Sequence, residues 1–154
     1  MSAADRLFSA LASDTMALDE VRERAGLYLE YFPELTVGGW HVDGEPYDRD
    51  FDMEQVRVAE LFLIAFGKRR QTINGKDEAH SYILKHAVEN WTEASGAFVY
   101  VATGAFILAA LMLGYECRQR PGYLHCQLNI VVDPTIRHYA YSDRPFSPLF
   151  PPSC

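Results

Sequence analysis

The chain has 154 residues, 49% of them hydrophobic and 13% aromatic, which suits one domain burying its own core and excludes a globally disordered chain. The net charge is -7, with 13 acids against 4 bases in residues 1–54 and 8 acids against 10 bases in residues 55–154. Such an acidic front half disfavours direct DNA binding, which needs clustered Lys and Arg, and suits docking on a basic surface. The three cysteines, Cys117, Cys126 and Cys154, are odd in number, and Met1 to Arg6 hold no basic segment feeding an apolar run. A reducing cytoplasm is therefore expected, with Cys117 and Cys126 able to face each other as buried thiols.

In chain order, Ser2 to Ala12 reads as a short helix. A second helix spans Thr15 to Phe32, where Leu18, Val21, Ala25, Tyr28, Leu29 and Phe32 recur at spacings of three and four. Pro33 ends it. Thr36 to Asp52 has the glycines, prolines and acids of a surface loop, with a short hairpin around Trp40. Asp52 reads as an N-cap with Gln55 as its capping-box partner, opening a helix from Met53 to Phe66 that Gly67 closes. Its last residues, Leu61 to Phe66, are all apolar, so burial on nearly every side is expected.

An Asn74-Gly75 turn leads to a helix from Glu78 to Trp91, followed by a short extended segment at Val99 to Ala102. Thr103 reads as the N-cap of an almost wholly apolar helix ending at Leu113 before Gly114. The uncharged run Ala94 to Tyr115 approaches the length of a membrane span, but Gly96, Thr103 and Gly104 interrupt it, so a buried helix is the better reading. Tyr115 to Gln119 and Leu124 to Val132, separated by Pro121-Gly122, form a β-hairpin. Asp133 to Cys154 is proline-rich and reads as an extended strap. The expected fold is a single α+β domain over 1–154, mostly α. About five helices surround a central apolar helix at 103–113, with a C-terminal antiparallel hairpin and an extended tail. An acidic front half (1–54), a core (55–132) and the tail (133–154) follow one another without a domain boundary.

Three clusters carry candidate chemistry. The acidic loop, Asp43, Glu45, Asp48, Asp50 and Asp52, with Trp40 and Tyr47 as aromatic anchors, is a candidate partner-binding surface. The basic residues Lys68, Arg69, Arg70, Lys76 and Lys85 could hold phosphate, as a nucleic-acid-binding or regulatory module would. Ser81, Lys85, His86 and Glu89 have the helical spacings of a nucleophile, base and orienting group, as in a small hydrolase or transferase. The same spacings describe a solvated helix face, which is the expected role, with Lys85 exposed. Cys117, His125, Cys126 and His138 lack the spacing of a zinc site, and no phosphate-binding or dinucleotide motif is present, so neither metal nor cofactor is expected.

The segments KRRQTIN (68–74), SYILKHAVENW (81–91) and YVATGAFILAALMLGY (100–115) resemble a class of small, uncharacterised proteins of phages and other bacterial mobile elements. Their pattern runs basic-R-T-x-N, then S-Y-x-L-K-H-x-x-E, then Y-V-S-N-G-A-x-I-x-A-A-x-x-x-G-Y/F. Ser81, Tyr82, Leu84, Lys85, His86 and Glu89 match the middle block. Tyr100, Val101, Gly104, Ala105, Ile107, Ala109, Ala110, Gly114 and Tyr115 match the last, with Ala102-Thr103 in place of Ser-Asn. The resemblance covers about a third of the chain and brings no established activity with it. It implies mobile-element origin, and genes of that origin often encode small inhibitors of host defence. Together with the acidic front half it leads to the expected function: a non-enzymatic binding protein of the anti-CRISPR type. Its partner would be a host protein or nucleoprotein complex with a basic surface, away from the membrane. The sequence leaves a homodimer open.

Overall fold

A run of ten residues without a charge has no face to offer water, and the helix formed by Thr103–Met112 is buried along its whole length. The computed structural model describes residues 15–73 and 79–141. Among them are five helices, α1 (Thr15–Tyr31), α2 (Met53–Phe66), α3 (Ser81–Ala94), α4 (Thr103–Met112) and α5 (Pro134–Tyr141). Two small antiparallel sheets complete the fold, β1 (Leu35–Thr36) with β2 (Gly39–Trp40), and β3 (Cys117–Gln119) with β4 (Cys126–Leu128). The fold is thus mostly α with a small β part. The expected helix at 2–12, the turn at Asn74-Gly75 and the tail beyond Tyr141 lie outside the described residues.

Helix α4 is central: α1, α2 and α3 pack against it, and its first turn meets β1 and β2. Gly104 makes that approach possible. A Cβ there would stand 1.8 Å from Thr36 O and 2.7 Å from Val37 O, and the Gly104 amide donates to Val37 O at 2.8 Å. Thr103 is not the cap of this helix. Ala102, whose methyl group cannot accept a bond, holds that position, and its own amide donates to Gln55 Oε1 at 2.8 Å. Gln55 is thereby drawn from the expected capping box into a tie between α2 and α4, while Asp52 caps α2 by accepting from the Glu54 amide.

Two further expectations change. Leu61 to Phe66 is not enclosed on every side, because the helical period turns Ile64 outward, where it is 67% exposed. Phe62 and Phe66 face inward and form a ring cluster with Trp91 and Tyr139. The stretch after Asp133 is not all extended strap. Asp133 Oδ1 accepts from the Ile136 amide at 2.9 Å, and Pro134, at the first helical position, has no amide to leave unsatisfied. The resulting α5 packs on α3 through buried Ile136 and Ala140, so α3 lies between α4 and α5.

The central packing sets the mutational cost. Ile107→Ala, at a fully buried position, should lower the unfolding free energy by about 2–5 kcal/mol through cavity formation. Gly104→Ala should lose about 1–3 kcal/mol or more, because α4 must move off the β1 carbonyls. Urea denaturation of both variants checks this.

Candidate functional site

The polar residues of α3 are not on a solvated face. Ser81, Lys85, His86 and Glu89 are all buried. The i,i+3 and i,i+4 spacings bring their side chains together as expected, but inside the protein. Glu89 is the hub. Lys85 Nζ lies 3.3 Å from its Oε2, His86 Nδ1 2.8 Å from its Oε1, and the Val101 amide donates to Oε2 at 3.0 Å. One carboxylate thus joins α3 to the segment that feeds α4. Lys85 Nζ also sits 4.6 Å from the Tyr100 ring centroid, a cation–π contact that closes the cluster from the solvent side. Ser81 faces another way, with its Oγ accepting from the Cys126 amide at 3.0 Å.

Burial by itself would push the Glu89 carboxyl up. The His86 hydrogen bond, the Val101 amide and the charges of Lys85 and His86 outweigh it and hold the group below its ordinary value of 4.5. Next to the cluster, Tyr82 packs edge-on against both His86 and His125, and His125 lies beside His80. Burial, then the positive neighbours His80, Lys85 and His86, bring His125 down to about 4. The half-buried Cys117 thiol is pushed well up by its hydrogen bond to Cys126 and then by desolvation. The two thiols meet across the hairpin, and the high value leaves Cys117 a poor nucleophile.

The acidic loop is exposed at Asp43, Glu45, Asp48, Asp50 and Asp52. Arg49 points inward beneath it and donates to Leu29 O, Phe32 O and Leu35 O, which pins the loop to the end of α1. Tyr47 is 55% exposed and its hydroxyl donates to Pro33 O. Trp40, expected beside it as an anchor, is buried instead. It pairs with Leu35 in the small sheet and packs its ring on Phe32.

The basic residues do not form one patch. Lys68, Arg69 and Arg70 are exposed, with their backbone tied to Asn129 and Val131. Lys68 pairs with Asp133 at 3.9 Å. Lys85 is inside the protein, and Lys76 is outside the described residues. Sequence reasoning missed a different group, on the hairpin: Arg118, Arg120, Tyr123 and His125 line a cleft of about 350 Å³. Among the described residues no three His, Cys, Asp or Glu side chains gather as metal ligands, and no helix is long and apolar enough to cross a membrane.

No family model, curated protein or solved structure matches this chain.

Two of the shifted groups, Glu89 and His125, make stability depend on pH in separate windows. Glu89 stabilises fully above 4.5, and that contribution is lost as pH falls through its lower folded value. His125 stays neutral in the fold while the unfolded chain takes up a proton below 6.5, so stability falls from 6.5 down to about 4. Glu89→Gln should cost about 3–5 kcal/mol at neutral pH, because it strands the buried Lys85 charge. It should also flatten the acid limb, whereas His125→Gln should flatten only the upper window. Denaturant titrations across pH test both.

Proposed function

We propose that this chain is a non-enzymatic acidic docking protein of phage or mobile-element origin. It occupies the basic surface of a host nucleic-acid-handling defence complex and blocks it, as an anti-CRISPR inhibitor does. The observation that carries this reading is the loop from Asp43 to Asp52, whose five acidic residues are all exposed while Arg49 ties it down with three bonds, to carbonyls of α1, Phe32 and β1. A charged surface held still presents the same field to every encounter, which speeds association and loses little entropy on docking. Exposed Tyr47, bonded to Pro33, and Tyr31, 81% exposed at the end of α1, supply aromatic area beside the charges, as binding hot spots do. Support for mobile-element origin comes from the resemblance at 68–74, 81–91 and 100–115.

The non-enzymatic reading is supported by the state of Glu89. The base-orienting carboxylate of the only cluster singled out for catalysis is committed to Lys85, His86 and Val101. Those bonds hold two chain segments together.

Capture from host extract followed by mass spectrometry should recover a nucleic-acid-binding complex, and high salt should weaken the association. Replacing Asp43, Glu45, Asp48 and Asp50 by Asn or Gln should slow association by about tenfold or more without changing the melting temperature. Asp52 is spared because it caps α2. Unchanged association of the neutral loop would place the interface elsewhere.

A further inference from the structure

The hairpin that covers the start of α3 carries a charge pattern opposite to that of the acidic loop. Register pairs Arg118 with Gln127, and an isolated bridge pairs His80 with Gln127 from the other side. Arg118 lies within β3 and Arg120 directly follows its last residue, and both are exposed. They line one wall of the cleft, with Tyr123, His125, Gln127 and His80 on the others. Its volume of about 350 Å³ is within the range of small-ligand sites.

Two features point to the ligand's charge. Among the described residues the cleft lining contains two arginines, two histidines and no carboxylate, in a chain of net charge -7. Neither guanidinium forms an ion pair with a described residue. Arg120 rests on the Tyr123 ring at 5.6 Å, and Arg118 makes no charged contact there. Two adjacent guanidiniums offer parallel N–H pairs suited to phosphate oxygens. Tyr123, 55% exposed, offers an aromatic edge and face beside them.

We propose that this cleft binds a small phosphate monoester of mononucleotide size, with Arg118 and Arg120 holding the phosphate and Tyr123 beside the base. The cleft adjoins the start of the acidic loop, since Asp43 shares a neighbouring hollow with Gln119 and Pro121, but no loop acid lines it, and its existence does not depend on the docking reading.

Isothermal titration of the full chain with adenosine monophosphate, inorganic phosphate and adenosine tests it. Adenosine monophosphate should bind, inorganic phosphate should compete with it, and adenosine should bind at least about tenfold more weakly, since the charge-assisted bonds are lost. Arg118→Gln/Arg120→Gln, at two exposed positions, should retain the wild-type melting temperature and lose about tenfold or more in affinity for adenosine monophosphate. If adenosine binds as tightly as the monophosphate, the phosphate is not what the cleft recognises. Undiminished binding by the double variant, or no heat with either phosphate, overturns the site. A single-stranded oligonucleotide that binds far more tightly than the mononucleotide overturns the small-ligand assignment in favour of a nucleic-acid surface.

Discussion

A carboxylate buried at 2% exposure is the constraint on which the rest of this structure depends. Taking an ion out of water costs several kcal/mol, and the loss is recovered only where partners satisfy it at good geometry. Glu89 has three such partners: Lys85 and His86 from its own helix, and the amide of Val101 from the next segment. The first two can form on α3 alone. The third forms only when the chain from Ser95 to Ala102 folds back over α3, which places α4 where it must lie. The ionic cluster thus specifies one arrangement of two helices that apolar packing by itself would allow in several registers.

From that point the architecture follows by contact. With α4 fixed, Gly104 admits the β1 carbonyls and Gln55 ties α2 to the start of α4. Arg24 reaches from α1 to the buried Glu60 of α2 with two bonds of 3.1 Å, closing the other side. Asn90, next to the hub, donates to Tyr139 O and draws α5 onto the free face of α3. The two surfaces proposed for binding both rest on this frame. Arg49 fastens the acidic loop to the end of α1, and Ser81, the first residue of α3, fastens β4 through the Cys126 amide. One surface is acidic and the other basic, and they lie on different loops of the same scaffold.

Much of this was legible in residues alone, and where it was not the reason is physical. Helix α4 announces itself because a charge-free stretch of its length can only be interior. The cap at Asp52 and the hairpin around Pro121-Gly122 follow from local chemistry, whereas Gly67 ends α2 in an extended conformation, where Leu63 O and the distant Tyr115 hydroxyl leave no room for a side chain. The α5 helix was hidden by the prolines around it, although Asp133-Pro134 carries a helix start in its cap and first-position proline. The site was less legible. Spacing brings Lys85, His86 and Glu89 together equally well on a wet face or a dry one, and what decides between them is distant in sequence: Tyr100 over Lys85, and α5 behind α3. Trp40 has the composition of an exposed anchor, yet the small sheet turns it inward. The cleft arginines were overlooked because alternation reveals a face only after strand register is known.

The central claim is that Glu89 is an ionised group bonded to Lys85, His86 and Val101 inside the folded protein. Carbon-13 NMR of the side-chain carboxyl, followed through a pH titration of the folded chain, tests it most directly. The account predicts a carboxylate signal that holds through neutral and mildly acidic pH and titrates only below 4.5, or not at all before the protein unfolds. A Glu89 carboxyl that is already protonated near neutral pH would contradict it, since a neutral acid could not serve as the counter-charge of buried Lys85.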